Sequence, residues 1–188
     1  MAHNLNSHSP TPVTLSASPG GAGTHILVAG LQLALLILLY SQTRSFGYAY
    51  FDDVDYVLEN PMVRAGLSVD GLHWAFTSLY MSNWHPLTWL SHMLDVSLFG
   101  IDPGWAHLHN VALHGVVSFL VYLLLIRYSG SWGKACVLSV VFLVHPLHVE
   151  SVAWIAERKD LLCAIFFLLS LLAYDSYRAH AKKRYYAA

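Results

Sequence analysis

Four apolar segments, each close to the length that crosses a lipid bilayer, constrain the fold of this chain more than any other feature. They lie at about residues 25–42, 107–127, 134–152 and 160–177. A helix rises about 1.5 Å per residue, so roughly 20 apolar residues cross the hydrocarbon core. Charged residues make up only 11% of the chain, against roughly 25% in an average soluble domain. The sequence therefore predicts an all-α polytopic membrane protein with about four transmembrane helices.

A short connection and an internal proline predict how these helices are arranged. Residues 128–133 read YSGSWG, a turn that indicates an antiparallel hairpin between the second and third segments. The third segment is the weakest of the four, because only its first half is cleanly apolar. Pro146 is expected to break or kink the helix just after His145, since proline lacks the backbone donor and clashes with the preceding turn.

Lys and Arg residues predict the orientation in the membrane, because they are enriched in cytoplasmic loops. They flank the 128–133 turn and follow the fourth segment (Arg127, Lys134, Arg178, Lys182, Lys183 and Arg184). Both termini are therefore expected in the cytoplasm, with the loop 43–106 and the link 153–159 on the outer side. Arg158 and Lys159 depart from this rule, so we expect each to have a specific partner.

The two ends of the chain differ in composition from the apolar segments. Residues 1–24 are rich in Ser, Thr, Pro and Gly and contain no Lys or Arg, which predicts a disordered tail. Residues 179–188 are expected to form a basic cytoplasmic tail. The formal net charge of −1 gives no bulk attraction to nucleic acid.

The loop 43–106 is predicted to contain two short amphipathic helices in the plane of the membrane interface. Ser68 is a candidate N-cap for the first helix. Pro86 suits the first position of the second helix, where its missing N–H costs nothing. In that second helix an apolar stripe lies opposite a polar one (Leu87, Leu90, Leu94 and Leu98 against Thr88, Ser91, His92 and Asp95).

An acidic stretch, FDDVDY at residues 51–56, follows the first apolar segment within about ten residues. Two interpretations are open: an acidic turn or helix cap on a solvated loop, and a general base or cation site. Adjacent residues do not share a face of a helix or a strand. We therefore expect one of Asp52 and Asp53 to face a site and the other to brace it.

A dense polar stretch, HPLHVESVAWIAERKD at residues 145–160, separates the third and fourth segments. His145, His148 and Glu150 could chelate a divalent ion, although theirs is not a standard zinc spacing. Arg158 and Lys159 could clamp a phosphate, with a bidentate guanidinium beside a point charge. The alternative is a helix-end cluster of salt bridges with Glu157 and Asp160.

One face of the second apolar segment is polar (His107, Asn110, His114 and Ser118). Hydrogen bonding between helices explains such a face, because polar groups in hydrocarbon normally point into the bundle. A metal or haem site is the alternative, and it needs partners on another helix.

Three blocks of sequence resemble a known family: FDDVDYVLENPMVRAGLSVDGLHWAF, NWHPLTWLSHMLDVSLFG and FLVHPLHVESVAWIAERKDLL. The chain resembles, over about residues 28–178, the N-terminal membrane region of bacterial tetratricopeptide-repeat membrane proteins. These are similar to the eukaryotic transmembrane and tetratricopeptide-repeat protein O-mannosyltransferases, within the GT-C glycosyltransferases. The resemblance implies part of a GT-C-like helical bundle in a bacterial inner membrane.

The resemblance also implies the activity and its residues. It implies a transferase that takes a sugar from a polyprenyl-phosphate carrier and passes it to a protein or glycan, in contact with membrane lipid. Asp52 and Asp53 occupy the place of the family's acidic pair, as Asp-Asp where the classical protein O-mannosyltransferases have Asp-Glu. For the carrier phosphate the matching candidates are Arg158 and Lys159. We hypothesise that Asp52 or Asp53 activates the acceptor, that His85 or His148 helps to hold the phosphate, and that His145, Glu150 and Asp160 support the site. Dependence on a divalent metal ion stays open.

The sequence is compatible with two other functions. One alternative is a non-enzymatic membrane anchor or assembly module, and another is a His-based metal-binding membrane protein. GT-C enzymes have more than four spans, and this family continues into helical repeats of about 34 residues, which are absent here. We therefore expect the chain to be the N-terminal part of a longer protein, as a fragment or a truncated gene product, or else a reduced relative of the family. A fragment that lacks half of the bundle is expected to be inactive by itself.

Overall fold

The computed structural model describes residues 20–180, and all regular secondary structure in that range is helical, with no β-strand. The helices are α1 (Ala22–Tyr40), α2 (Pro61–Arg64), α3 (Val69–Thr77), α4 (Pro86–Phe99), α5 (Pro103–Ser129), α6 (Trp132–Val144), α7 (Val149–Ala153) and α8 (Arg158–His180). Short 3₁₀ or π turns connect several of them. The all-α fold is therefore confirmed. Apart from the start of α1 and the end of α8, the predicted tails 1–24 and 179–188 lie outside the described residues.

Three helical stretches are long and apolar enough to cross a membrane: Ala22–Ser45, Pro103–Ser129 and Ile155–Arg178. A fourth crossing is formed only if α6 and the stretch Pro146–Ala153 count as one span, bent by 53° at the break. With 13 residues, α6 is about 20 Å long, short of the roughly 30 Å hydrocarbon core. His145 is extended (φ −69°, ψ 129°), as expected before a proline. The predicted break at Pro146 is confirmed.

Along the chain the long helices alternate in direction, so that α5 and α8 run parallel to each other and antiparallel to α1, and the bundle has two distinct ends. At one end Arg127, near the C-terminus of α5, donates to the Asp175 carboxylate of α8 at 3.3 Å. At the other end Arg44, just after α1, forms two hydrogen bonds with Asp102, the N-cap of α5. We call this second end the loop end, because the segment 46–100 covers it. The predicted hairpin follows from the same arrangement, since α5 and α6 are joined by a turn at the opposite end.

The two short helices of the loop begin where the sequence predicts. The Ser68 hydroxyl accepts a hydrogen bond from Gly71 N at the start of α3, and Pro86 is the first residue of α4. The polar stripe of α4 points inward, where Thr88, His92 and Asp95 are buried. Its leucine stripe is the exposed one, at Leu87, Leu94 and Leu98. This polarity fits a helix that meets lipid on its outer face and polar protein groups on its inner face.

A core cluster at the loop end ties the loop to the start of α8. Tyr56, Trp89 and Met93 are fully buried together with Ile155 and Ala156. The acidic stretch and the polar stretch before α8 therefore belong to one packed unit, although about 100 residues separate them in sequence.

Candidate functional site

The Asp53 carboxylate fastens the acidic stretch to the segment that precedes α8. It is 1% exposed, and it accepts hydrogen bonds from Ala49 N and Ala156 N, each at 2.9 Å. Burial raises the pKa of the Asp53 carboxyl, and the two amide donors act in the opposite direction. Asp53 therefore braces two loops that are distant in sequence.

Asp52 is the more exposed and less hydrogen-bonded member of the acidic pair. It is partly exposed and forms no hydrogen bond or ion pair with another described residue. Its charge acts on the buried hydroxyl of Tyr56. Burial raises the pKa of Tyr56, Lys159 lowers it, and Asp52 raises it. The side chains of Asp52 and Lys159 therefore both lie near that phenol.

Lys159 and His85 also lie near the Tyr56 ring. The Lys159 ammonium donates to Glu157 Oε1 at 2.7 Å and lies 5.8 Å from the centre of the Tyr56 ring. The His85 ring lies 5.5 Å from the same ring. Burial, aided by the Lys159 charge, lowers the pKa of His85 to about 4. His85 is therefore neutral at pH 7 and can donate one hydrogen bond and accept another.

Lys159 and His85 line a pocket of about 390 Å³ between the start of α4 and α8, which we call the lysine pocket. The rest of its lining is mostly apolar and aromatic (Phe76, Trp84, Leu87, Leu162, Cys163 and Phe166). A cation beside an apolar groove suits an amphiphile that carries a negative head group and a hydrocarbon chain.

Arg158 is placed differently from Lys159, although the two are adjacent in sequence. Its guanidinium is completely buried and lies 2.6 Å from the Asp95 carboxylate. It also donates to Asn110 Oδ1 at 2.7 Å and to Ala106 O at 2.9 Å. The expectation that each of these cations has a specific partner is confirmed, with Asp95 for Arg158 and Glu157 for Lys159. The predicted direct phosphate contact by Arg158 does not fit this placement, because its donors are used inside the protein.

The remaining predicted residues lie away from the lysine pocket. His148 packs on Phe142, with ring centres 4.2 Å apart, and His145 Nδ1 accepts from Leu147 N at 3.3 Å. The Asp160 carboxylate accepts from the Ser151 hydroxyl at 3.3 Å. Glu150 lines a separate pocket, beside Asp53. The prediction that His148 joins Lys159 at a phosphate does not match this arrangement, because His148 is held against α6.

Within residues 20–180, no three His, Cys, Asp or Glu side chains are grouped so that they could hold a metal ion. The alternative that His145, His148 and Glu150 chelate a cation thus finds no complete ligand set there. The polar face of α5 instead bonds to neighbouring segments, where His114 contacts Leu143 O at 3.0 Å and Asn110 donates to Trp154 O at 3.0 Å. The hydrogen-bonding interpretation of that face is therefore confirmed.

Sequence reasoning missed two residues that organise the site. Tyr56 lies near Lys159 and His85 and is affected by the charge of Asp52, and no spacing in the sequence identifies it. Asp95 holds Arg158. Its position on the polar stripe of α4 could have identified it from the sequence, because a carboxylate among such residues in a membrane protein requires a partner.

The chain is similar to several curated proteins. It is 33% identical over 166 residues to the protein O-mannosyl-transferase TMTC1 of Mus musculus, which covers 82% of this chain and 17% of that protein. It is 34% identical over 184 residues to Tmtc1 of Drosophila melanogaster, covering 93% and 21%. With TMTC3 of Homo sapiens it shares 32% identity over 131 residues, covering 66% and 14%. The resemblance predicted from the motifs is confirmed, and the chain spans 14% to 21% of the length of these relatives.

Other comparisons add nothing to this likeness. No family model matches the chain, and no solved structure matches it.

Proposed function

We propose, from this likeness to protein O-mannosyl-transferases, that the chain is the N-terminal part of a GT-C-like glycosyltransferase. It would transfer a sugar from a polyprenyl-phosphate carrier to a hydroxyl group of a protein or glycan. The reaction would take place at the loop end of the bundle, on the extracytoplasmic face of a bacterial inner membrane. The single observation that carries the proposal is the lysine pocket, in which a cation lies beside an apolar groove near the start of the spanning stretch Ile155–Arg178.

The lysine pocket supports binding of the carrier lipid. The Lys159 ammonium would contact the phosphate, because Lys159 is partly exposed and a charge-assisted hydrogen bond is stronger than a neutral one. Neutral His85 would donate a second hydrogen bond without adding charge. The apolar lining on α4 and α8 would accept the first part of the prenyl chain. Arg158 has a positioning role in this proposal, since its buried contacts with Asp95 and Asn110 fix the start of α8.

Asp52 is the better candidate for the general base. Both oxygens of Asp53 accept backbone N–H groups, whereas Asp52 has no such partner within residues 20–180. Asp52 would remove the proton from the acceptor hydroxyl as that oxygen bonds to the anomeric carbon. The bond between the anomeric carbon and the phosphate oxygen breaks in the same step, and Lys159 would stabilise the departing phosphate.

The test is sugar transfer by the protein as its gene encodes it, reconstituted in liposomes with polyprenyl-phosphate sugars. Asp52→Asn is expected to lower transfer at least about 100-fold, the usual scale for losing a general base. Asp53→Asn is also expected to lower transfer, through movement of the loop. Asp55→Asn, in the same acidic stretch, is the matched control and should retain transfer. Wild-type transfer by both Asp52→Asn and Asp53→Asn would disprove the assignment and favour a membrane anchor without enzymatic activity.

A further inference from the structure

A second groove at the loop end, between α4 and α5, has no role in the proposed transfer. It has a volume of about 330 Å³ and is lined by leucine and aromatic side chains, Leu94, Leu98 and Trp105 among them, and by the polar residues Asp95 and His109. We call it the α4–α5 groove. Among residues 20–180 it shares no lining residue with the lysine pocket. Leu94 and Leu98 belong to the exposed stripe of α4, so the groove opens on the lipid side of that helix.

His109 has one ring nitrogen bound to the protein and one that is accessible. Its Nδ1 lies 2.5 Å from an oxygen of the Asp95 carboxylate. That carboxylate is also paired with Arg158, so it accepts and Nδ1 carries the hydrogen. The imidazole side chain is 26% exposed, and its Nε2 has no hydrogen-bond partner among residues 20–180 and is not enclosed by protein atoms. Nε2 is therefore a polar atom that a ligand in the groove can reach.

The net charge at the α4–α5 groove depends on the protonation of His109. The carboxylate of Asp95 is already balanced by the guanidinium of Arg158. Asp102, at the start of α5, is likewise paired with Arg44. A protonated His109 thus adds one positive charge that no carboxylate has yet balanced, beside an apolar surface. An anion is attracted to such a place.

The position of His109 along α5 matches the level of the lipid headgroups. His109 and Arg127 are 18 positions apart on this spanning helix, which is about 27 Å along its axis. The hydrocarbon core of a bilayer is roughly 30 Å thick. With Arg127 at the headgroups of one leaflet, His109 therefore lies close to the headgroups of the other.

We infer that the α4–α5 groove binds an anionic phospholipid of the surrounding membrane. The headgroup phosphate accepts a hydrogen bond from His109 Nε2, and the start of an acyl chain packs against Leu94 and Leu98. An anionic lipid fits better than a zwitterionic one, because its headgroup brings no cation of its own to balance the phosphate. Since His109 also bonds to Asp95, the lipid joins the contacts that fix the start of α8 through Arg158. The inference does not depend on sugar transfer.

Binding of the phosphate should take up a proton. A phosphate oxygen only accepts, so it requires the His109 ring with hydrogens on both nitrogens. The titratable or charged groups next to His109 are Asp95 and His92 on α4 and Arg158 on α8. Asp95 and Arg158 form an ion pair, and burial lowers the pKa of His92 well below its ordinary value. The affinity for the lipid is therefore expected to rise between about pH 8 and about pH 6, the range in which histidine titrates.

The experiment measures binding of phosphatidylglycerol to the protein as its gene encodes it, in detergent, by native mass spectrometry. Diacylglycerol with the same acyl chains lacks the phosphate and should bind more weakly. His109→Gln keeps an amide donor for Asp95 and removes the ring. It is expected to weaken binding of phosphatidylglycerol roughly 10- to 100-fold, the range for losing a hydrogen bond to a charged group, and to abolish the pH dependence. His73→Gln, at an exposed histidine of α3, is the matched control and should bind as the wild type.

Two further variants test the location of the lipid. Leu98→Trp narrows the groove without changing His109 and should weaken binding of both lipids. Lys159→Met, in the lysine pocket, should leave the affinity for phosphatidylglycerol unchanged. Equal binding of the two lipids by the wild type, or wild-type affinity in His109→Gln, overturns the inference. If His109→Gln does not fold, Leu98→Trp decides, and wild-type affinity in that variant rejects the groove. Loss of phosphatidylglycerol binding in Lys159→Met would place the lipid in the lysine pocket and also overturn the inference.

Discussion

The guanidinium of Arg158 and the carboxylate of Asp95 form a completely buried ion pair, with 2.6 Å between their nearest atoms. The pair joins the first turn of α8 to α4, and Asn110 on α5 accepts from the same guanidinium. Three helices therefore meet at one side chain. Lys159 follows Arg158 directly, and Ala156, whose N–H donates to Asp53, lies two residues before it. This ion pair therefore fixes the local frame of the candidate site.

Removing one partner of this pair should strongly destabilise the protein. Arg158→Met leaves the Asp95 carboxylate buried without its cation, which is expected to lower the free energy of unfolding by about 3–5 kcal/mol. Arg44→Met breaks the exposed pair with Asp102 and should cost less than about 1 kcal/mol. Denaturant unfolding in detergent, followed by circular dichroism, measures both. Equal stability of the two variants would contradict the structural role of Arg158.

Loss of the Asp53 brace should release the segment before α8. In Asp53→Ala the amides of Ala49 and Ala156 lose their acceptor, and a buried unpaired donor costs about 1–3 kcal/mol. Hydrogen–deuterium exchange should rise at residues 49 and 156, while the exchange of α5 stays as in the wild type. Asp52→Ala is the control, because Asp52 bonds to no backbone amide in the described part of the chain. Unchanged exchange at residue 156 would show that this bond does not hold the loop.

Local features of this fold could be predicted from the sequence, and its long-range pairings could not. The spans, the Ser68 cap and the break at Pro146 depend on composition and backbone chemistry within a few residues. The Arg158–Asp95 pair joins residues 63 positions apart, and no spacing rule connects them. The stripes of α4 were predicted from periodicity. Which stripe faces the protein depends on the medium outside, because an apolar stripe can face lipid as well as a core.

In the candidate site, too, the local relationships could be predicted from the sequence and the long-range grouping could not. The sequence predicts that one of Asp52 and Asp53 faces a site and the other braces it. The bracing contacts are those of Asp53 with two backbone amides, and the role of Asp52 stays a prediction. The prediction of one phosphate site for Arg158, Lys159, His85 and His148 does not agree with the structure. It assumed that residues adjacent in the sequence are also neighbours in space. Arg158 and Lys159 point to different places, and only Lys159 and His85 share a pocket.

Acid should destabilise the folded state through His85. Its pKa is lowered to about 4 in the folded protein, against about 6.5 in an unfolded chain. Between these two values the unfolded chain binds a proton that the folded protein does not, so the free energy of unfolding falls as the pH drops from about 6.5 to 4. His85→Gln should flatten this part of the stability profile relative to the wild type. His73→Gln, an exposed histidine of α3, is the control and should leave the slope unchanged.

Lys159 should determine affinity for a lipid phosphate, independently of the prenyl chain. Lys159→Met keeps a long unbranched side chain and removes the charge. Its affinity for a short-chain polyprenyl phosphate in detergent is expected to fall roughly 10- to 100-fold, the range for losing a hydrogen bond to a charged group. The uncharged polyprenol should bind both proteins equally, because the apolar lining of the pocket is intact. Lys134→Met, near the opposite end of the bundle, should not change either affinity. If Lys159→Met weakens the binding of polyprenol as much as that of its phosphate, the residue shapes the pocket and does not recognise the phosphate.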